Sequence, residues 1–175
     1  VSETRTIQLI RLNVEVKPPR KFLSDEDVAE INQQNFRVAD VQRKGKQLCL
    51  VLRNGKKAAY LFVHMGMTGR ISNPSCIPEL ESLSKNSTYP PPSTRIKFSI
   101  GDAGDKAEAC FSDPRKFGAV LLKSNLDQDF DDLAPDALND LADHKSTIMK
   151  KITNQSAGIK SVLLDQKRCV SGVGN

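Results

Sequence analysis

Apolar and polar residues alternate in seven separate segments of this sequence, and that alternation constrains its fold more than any other feature. Because successive side chains of a β-strand point to opposite faces, a two-residue period predicts strands with one buried face. The segments are 6–13, 36–41, 47–53, 58–64, 95–100, 107–112 and 119–123. They predict antiparallel sheets, with a two-residue hairpin turn at Asn54-Gly55 and a looser hairpin over 101–105.

Two other stretches have a helical pattern. Ser24 followed by Asp27 is a helix-start signature, and we expect the helix that follows to bury Val28 and Ile31. A second helix is predicted to begin around Pro135, because proline suits a first helical turn. Its predicted apolar face consists of Leu138, Leu141, Ile148 and Ile152.

The order of these elements, strands first and helices last, predicts the α+β class. We expect a domain of antiparallel sheets over 1–133, followed by a helical domain that begins at 134 and runs to 175. The stretch 72–93 is rich in serine and contains three consecutive prolines. Proline removes the donors of a sheet ladder, so we predict a flexible insertion there.

Composition narrows the class of partner. Lys and Arg number 26 against 21 Asp and Glu, a net charge of +5 that favours a polyanionic partner, although many proteins without one carry as much. The four cysteines show no CxxC pair and no histidine at zinc spacing, which predicts buried, reduced thiols rather than disulfides or a metal site. Without an apolar stretch of about 20 residues, the protein is expected to be soluble.

The two ends of the sequence suggest a fragment. Val1 stands where an initiator methionine or a signal segment would be, so we expect residues to precede it. Ser171-Gly172-Val173-Gly174-Asn175 resembles a glycine-rich entry to a helix, whose free N–H groups suit a phosphate. We expect the chain to end beside an anion site.

A basic cluster over 41–48 enters one of the predicted strands. Gly45 would let another backbone approach closely, and Lys46 would project from the start of the strand. A solvated run of charge is the alternative interpretation.

Two further stretches suit an enzyme that acts on an extrahelical base. Met67 lies between glycines in 63–70, where it is either core filler or a wedge that unstacks bases. In 112–118, Arg115 and Phe117 are two residues apart on one side of an irregular loop. That loop is either a plain strand connection or a guanidinium fork and an aromatic ring that fill the gap left by a base.

In this order and spacing, the stretches resemble the formamidopyrimidine-DNA glycosylase and endonuclease VIII family. His-Met-Gly-Met-Thr-Gly at 64–69, Asp-Pro-Arg-Lys-Phe-Gly at 113–118 and Gly-Val-Gly-Asn at 172–175 are close to its signatures. The resemblance extends over nearly the whole chain and is nearer the formamidopyrimidine branch. The insertion before Arg95 is similar to plant or fungal members. The fold implied is a β-sandwich followed by a helix-two-turn-helix domain.

The resemblance implies a bifunctional base-excision repair enzyme. Such an enzyme flips an oxidised purine out of duplex DNA, cleaves the glycosidic bond, and nicks the strand by β,δ-elimination through a Schiff base. The family nucleophile is an N-terminal proline followed by a catalytic glutamate, and neither is found here. The rest of the helical module, and any zinc or zincless finger, would follow Asn175. We therefore expect the 175 residues to be inactive alone.

The resemblance also implies a role for each residue of this chain that matches a family motif. Met67, Arg115 and Phe117 match the lesion probe: the first fills the void left by the everted nucleotide, the second hydrogen-bonds the orphaned cytosine, and the third wedges beside it. His64 matches the histidine at the head of the probe loop, close to the phosphate backbone.

A second group of residues matches family residues that contact DNA phosphates. Lys46 matches the catalytic lysine that contacts phosphate beside the reacting sugar and donates a proton in β-elimination. Asn175 matches the asparagine that holds the lesion's phosphate, and Lys160 a phosphate lysine of the helix. The chain departs from bacterial members before Arg95 and before Lys160, so some backbone contacts are expected to be either missing or made by other residues, such as Arg95 or Lys150.

The implied partner is double-stranded DNA with oxidised bases or abasic sites, bound by a monomer without a cofactor in this chain. The expected location is the nucleus in a eukaryote and otherwise the cytoplasm. Two alternatives remain: a noncatalytic damaged-DNA-binding protein that kept the lesion probe, and a β-rich scaffold whose basic residues only solubilise it.

Overall fold

The computed structural model describes residues 7–10, 22–79, 88–102, 105–125, 130 and 132–174. Within them lie eight strands and three helices. The strands are β1 (Ile7–Ile10), β2 (Arg37–Lys44), β3 (Gln47–Asn54), β4 (Lys57–His64), β5 (Arg70–Ser72), β6 (Thr94–Asp102), β7 (Asp105–Ser112) and β8 (Ala119–Lys123). The helices are α1 (Asp25–Gln33), α2 (Leu141–Thr153) and α3 (Ile159–Leu164).

The strands form two four-stranded antiparallel sheets, ordered β1-β6-β7-β5 and β2-β3-β4-β8. The predicted α+β class, with a β-sandwich followed by helices, is confirmed. All seven alternating segments contain a strand. β5 was not predicted, because three residues are too few to show a two-residue period.

The core follows the alternation. In β6, Ile96 and Phe98 are buried while Arg95 and Lys97 are partly exposed. In β4 the pattern breaks, since Phe62 is buried between two buried neighbours. Side chains on both faces of that strand are therefore withdrawn from water, and their burial stabilises the sheet.

Helix α1 begins as predicted. The Ser24 hydroxyl accepts the N–H of Asp27 at 3.1 Å, and the Asp27 carboxylate accepts the N–H of Ser24 at 2.8 Å. This reciprocal pair satisfies two backbone donors that have no partner within the helix. Ile31 is fully buried and Val28 half-buried, which places the apolar face where the sequence put it.

Both predicted hairpins form, with one shift. The first turn consists of Gly55 and Lys56, one residue later than predicted, because Asn54 is still the last residue of β3. Gly55 has φ +58°, the conformation that glycine tolerates best. In the second hairpin Asp102 pairs with Asp105, and the two residues between them lie outside the described residues.

The second predicted helix was placed too early. It begins at Leu141, not around Pro135. The carboxylate of Asp136 accepts the N–H groups of Leu138 and Asn139, each at 3.0 Å, while its own N–H donates to the Asp140 carboxylate at 2.8 Å. Such local side-chain bonds compete with helical ones and hold 136–140 in turns.

The predicted apolar face of this helix is only partly buried. Ile148 is buried, but Leu138 and Leu141 are exposed. Of the cysteines, Cys49, Cys110 and Cys169 are buried and free, whereas Cys76 is exposed, contrary to the prediction. Burial raises the pKa of the Cys49 thiol to about 11. Among the described residues, no helix has the length and apolar character needed to cross a membrane.

The chain divides into two compact units. The sheet unit comprises Val1–Val41 and Cys49–Asn125, and the helical unit comprises Gln42–Leu48 and Leu126–Asn175. The turn that carries Lys46 thus belongs to the helical unit. The domain boundary at 133 and the flexibility of 72–93 stay predictions, and residues 80–87 lie outside the described residues.

Candidate nucleic-acid interface

The first loop of the sheet unit presents Met67 to solvent. It follows β4 and closes on itself, because the N–H of Gly69 donates to the carbonyl oxygen of Met65 at 2.8 Å. Met67 lies at its tip with 63% of its surface exposed. Core filler, the alternative interpretation, is therefore wrong for this methionine. An apolar side chain in this position has no protein surface to cover and is available to a ligand.

The second loop carries Arg115 and Phe117. The guanidinium carbon of Arg115 lies 4.8 Å from the centre of the Phe117 ring, which confirms that the two side chains share one side of the loop. Between them, Lys116 has φ +58°, a conformation that turns the chain sharply. Phe117 is 48% exposed. The guanidinium stacked on its ring forms a small platform of cation and aromatic surface.

A single buried carboxylate joins the two loops. Asp113 has no exposed surface. Its Oδ1 accepts the hydroxyl of Thr68 at 2.6 Å, and its Oδ2 accepts the N–H of Gly118 at 2.6 Å. One oxygen thus holds the Met67 loop and the other holds the loop of Arg115. The Arg95 guanidinium, a candidate for a DNA contact, donates to the carbonyl oxygen of Asp113 at 3.3 and 3.2 Å.

The two loops also touch directly at a glycine. A Cβ on Gly66 would lie 2.6 Å from the carbonyl carbon of Phe117 and 2.7 Å from the nitrogen of Gly118. Gly66 also has φ +60°. Both the contact and the backbone conformation therefore require glycine here, and the spacing between the loops depends on it.

His64 stands at the head of the first loop, as expected. It is the last residue of β4, pairs with Ala119 of β8, and is half-buried. Its Nδ1 accepts the N–H of Gly66 at 3.2 Å, so the imidazole helps to fix the start of the loop.

In the helical unit, the Lys46 ammonium lies beside a glycine-rich loop. Gly45 and Lys46 form the turn between β2 and β3. A Cβ on Gly174 would be 3.2 Å from Lys46 Nζ, so the ammonium rests against the Gly174 backbone. Within the described part of the chain, no carboxylate pairs with Lys46. The interpretation as part of a solvated charge run does not account for this close contact.

The loop 171–174 is braced by Gln166. Its Oε1 accepts the N–H of Gly172 at 2.7 Å, and its Nε2 donates to the carbonyl oxygen of Val173 at 3.1 Å. The N–H of Gly172 is therefore not free, contrary to the prediction from the sequence. The partner of the Gly172 N–H is the side-chain oxygen of Gln166, six residues earlier in the chain. The two hydrogen bonds of this amide tie the loop to the segment that precedes it.

In the helical unit, the buried carboxylate of Asp136 accepts hydrogen bonds from the strand and turn that lead to Lys46. Arg43 donates to both of its carboxylate oxygens, at 2.8 and 2.9 Å, and the N–H of Gly45 donates to Oδ2 at 2.6 Å. The hydrogen bond from Arg43, assisted by the backbone N–H groups of Gly45, Asn139 and Leu138, holds the pKa of Asp136 well below its usual range. The same bond raises the pKa of Arg43.

The two remaining predicted site residues have different outcomes. Lys160 is exposed in the first turn of α3, where a phosphate contact is sterically possible, and its role stays a prediction. Asn175 lies outside the described residues.

Sequence reasoning missed the residues that hold the loops: Thr68, Asp113, Asp136, Arg43 and Gln166. All are polar residues, and all lie beside a predicted turn or strand end except Asp136, which stands at the predicted start of a helix. Asp113 and Asp136 each also adjoin a proline, a signal for a turn that needs backbone caps. The local sequence does not indicate which distant donor each carboxylate binds.

Comparisons with known proteins match the same region. A family model described as the formamidopyrimidine-DNA glycosylase N-terminal domain matches residues 3–120. A formamidopyrimidine-DNA glycosylase from Roseobacter denitrificans is 32% identical over 144 residues, 79% of this chain and 47% of that protein. One from Mycoplasma genitalium is 29% identical over 160 residues, 89% of this chain and 50% of that protein.

A solved structure shares the fold. The MutM (Fpg) protein from Thermus thermophilus superposes with a TM-score of 0.69, at 24% identity, over 98% of this chain and 54% of that one. The chain spans about half the length of the curated relatives it matches. The matched family region contains both loops of the sheet unit and the Lys46 turn.

Proposed function

Because the chain belongs to the formamidopyrimidine-DNA glycosylase family, we propose that the full-length protein is a base-excision repair DNA glycosylase with AP lyase activity. It removes oxidised purines of the formamidopyrimidine and 8-oxoguanine type by base flipping, and it nicks the strand by β,δ-elimination. The observation that carries the proposal is the pair of loops that share Asp113 and expose Met67, Arg115 and Phe117 together.

These side chains suit the gap that an everted nucleotide leaves in a duplex. Extrusion of a base costs a few kcal/mol of stacking and pairing. An apolar wedge replaces part of the lost stacking, and Met67 is exposed at a braced loop tip. Arg115, stacked on Phe117, presents a planar fork of N–H donors that matches the acceptors on the edge of an orphaned cytosine.

The helical unit supplies the phosphate contact. Lys46 has an ammonium beside the Gly174 backbone and no carboxylate partner among the described residues. An anion bound there would sit next to a positive charge that no carboxylate of the described residues neutralises. We assign Lys46 to the phosphate beside the reacting sugar, and its ammonium to proton donation in β-elimination.

The proposed partner is duplex DNA with oxidised bases or abasic sites, bound by a monomer, and no cofactor is assigned to this chain. The amine that forms the Schiff base is assigned by family resemblance to an N-terminal proline. The chain spans about half the length of the curated relatives it matches, so the activity is proposed for the full-length protein only.

Borohydride trapping tests the chemistry. Borohydride reduces the imine between an enzyme amine and C1′ of the sugar, which leaves a stable covalent adduct. We expect the full-length protein to form this adduct with duplex containing 8-oxoguanine, and the 175-residue chain to form none. Specific binding without an adduct would contradict the lyase proposal and favour a noncatalytic damaged-DNA-binding protein.

Substitution of the probe tests the recognition. M67A is expected to weaken binding to damaged duplex by roughly tenfold or more, because stacking against a base is worth about 1–3 kcal/mol. M149A is the matched control, since Met149 is also an exposed methionine, on α2. R115A is paired in the same way with R168A, which removes an exposed arginine bound to Asp165. Equal losses in each variant and its control would contradict the assigned interface.

A further inference from the structure

Asp136 anchors the turn that carries Lys46 within the helical unit. Arg43 precedes that turn and Gly45 is its first residue, and both donate to the Asp136 carboxylate. Arg43 also donates to the carbonyl oxygen of Gly45 at 2.9 Å, which closes the turn on itself. The entry to the turn is therefore held by a single side chain, that of Asp136.

Asp136 is also joined to the glycine-rich loop. Its segment forms a parallel bridge with Ser171, in which Ser171 N–H donates to the carbonyl oxygen of Pro135 at 2.9 Å and Ala137 N–H donates to that of Ser171 at 2.8 Å. Asp136 thus connects the Lys46 turn with the residues that lead to Gly174. The side chain of Asp136 is 2% exposed, so it does not itself meet a ligand.

The turn and the loop approach as closely as glycine allows. A Cβ on Gly45, which has φ +56°, would be 3.0 Å from Ser171 Cβ and 3.2 Å from the nitrogen of Gly172. Further along, the Lys46 ammonium lies against Gly174. A shift of the turn by about 1 Å would misplace the charge, and such displacements are costly in preorganised sites.

From this arrangement we propose that Asp136 is a positioning residue for phosphate binding. It holds the Lys46 turn against the Ser171–Gly174 loop, so that the Lys46 ammonium and the loop backbone contact the same phosphate of the DNA. The inference rests on the proposed function, and it assigns a role to a residue that makes no contact with DNA.

Charge explains why a carboxylate can occupy this place. An unpaired carboxylate near the site would repel phosphate. Asp136 is neutralised by a two-pronged guanidinium and accepts three backbone N–H groups, so its charge is compensated locally. Asparagine has nearly the same shape, but its amide group would point donors at the donors of Arg43 or Gly45. D136N therefore releases the turn without opening a cavity.

A double-mutant cycle in the full-length protein tests the inference. The variants are D136N, K46A, R115A and the doubles D136N/K46A and D136N/R115A, with affinity for damaged duplex measured across a salt series. D132N is the control, because it removes an exposed carboxylate, paired with Lys167, from the same unit. It is expected to bind like the wild type.

If Asp136 acts through Lys46, D136N weakens binding by about tenfold and lowers the salt slope by about one counterion. The double with K46A is then no weaker than K46A alone. The double with R115A shows the full product of the two losses, because Arg115 shares no partner with Asp136 and belongs to the sheet unit.

Losses that multiply in both doubles would mean that Asp136 is merely structural, and they overturn the inference. Wild-type affinity in D136N overturns it as well. If D136N does not fold, R43K replaces it in the same double-mutant cycle, since lysine keeps the charge of Arg43 but cannot donate to both oxygens of Asp136. If DNA binding depends on Lys46 but the full-length protein forms no borohydride adduct, the proposed lyase activity is contradicted and this inference still holds. Equal binding by K46A and the wild type contradicts both.

Discussion

Asp113 in the sheet unit and Asp136 in the helical unit are both buried carboxylates, but they hold their loops with different partners. The oxygens of Asp113 accept a hydroxyl and a backbone N–H. Those of Asp136 accept a guanidinium as well as backbone N–H groups. The difference corresponds to what each region presents: an exposed methionine and an arginine stacked on phenylalanine in the first, and the proposed phosphate contact of Lys46 in the second.

If the proposed function holds, the comparison relates the partners of a buried carboxylate to the ligand expected nearby. Where the exposed tips are meant for bases, neutral donors suffice to fix the loops. Where an anion is to bind nearby, the carboxylate has its own cation, which cancels the repulsion that the phosphate would otherwise feel. The following tests would break or sharpen this contrast.

The largest expected effect is that of D113A. Its loss leaves the Gly118 N–H and the Thr68 hydroxyl without their acceptor, at about 1–3 kcal/mol for each buried donor. We expect the free energy of unfolding to fall by about 2–6 kcal/mol in denaturant titrations. T68V removes one of the two bonds and should cost about half as much. A D113A protein as stable as the wild type would show that the two loops are held by something else.

The contact between the loops predicts a smaller effect. G66A forces a side chain into the left-handed region and against Phe117, whereas G55A has nearly the same φ, +58°, with nothing within 4 Å of the added Cβ. We expect G55A to cost about 1–2 kcal/mol from backbone strain alone. G66A should cost clearly more, and the difference measures the contact. Equal melting temperatures for the two variants would contradict it.

Next in size is the acid sensitivity of Asp136. Its pKa is lowered in the folded protein, mainly by Arg43, so the unfolded chain binds the proton at higher pH than the folded one. The stabilisation is therefore complete above the ordinary aspartate value of about 4 and is lost as the pH falls further. We expect the stability gap between wild type and D136N, measured by denaturant titration, to be constant from about pH 7 to 5 and to shrink below about pH 4.

R43Q should weaken this pH dependence in the same way, because the hydrogen bond from Arg43 is the largest cause of the shift. A gap that stays constant at low pH, or an R43Q protein with an unchanged acid transition, would show that the ion pair does not form in solution.

The smallest expected effect is a difference between the two regions in how much their contribution to DNA affinity depends on salt. K46A in the full-length protein is expected to lower the slope of log affinity against log salt by about 0.9, the value for one phosphate contact. M67A should reduce affinity at every salt concentration without a change of slope, because an apolar wedge releases no counterion. An unchanged slope in K46A, or a reduced slope in M67A, would reverse the assignment of the two regions.

Much of this fold could be predicted from the sequence, because its signals are local. The alternation marked seven of the eight described strands, and the Ser24–Asp27 pair marked the start of α1. Met67, Arg115 and Phe117 were identified from short motifs, since glycine and proline around them force exposed turns. The predicted start of α2 was wrong, because the Asp136 carboxylate accepts the N–H groups of Leu138 and Asn139 and holds this segment in turns. Helix propensity does not reveal such hydrogen bonds.

The sequence alone thus determined the class of fold, the loops and the side chains they expose, since strand period, capping and turn chemistry act over a few residues. The tertiary structure decided what holds those loops in place. Thr68 and Asp113 are 45 residues apart, and Arg43 and Asp136 are 93 apart. No local pattern pairs groups at such separations, because a buried carboxylate meets these donors only when packing brings distant parts of the chain against it.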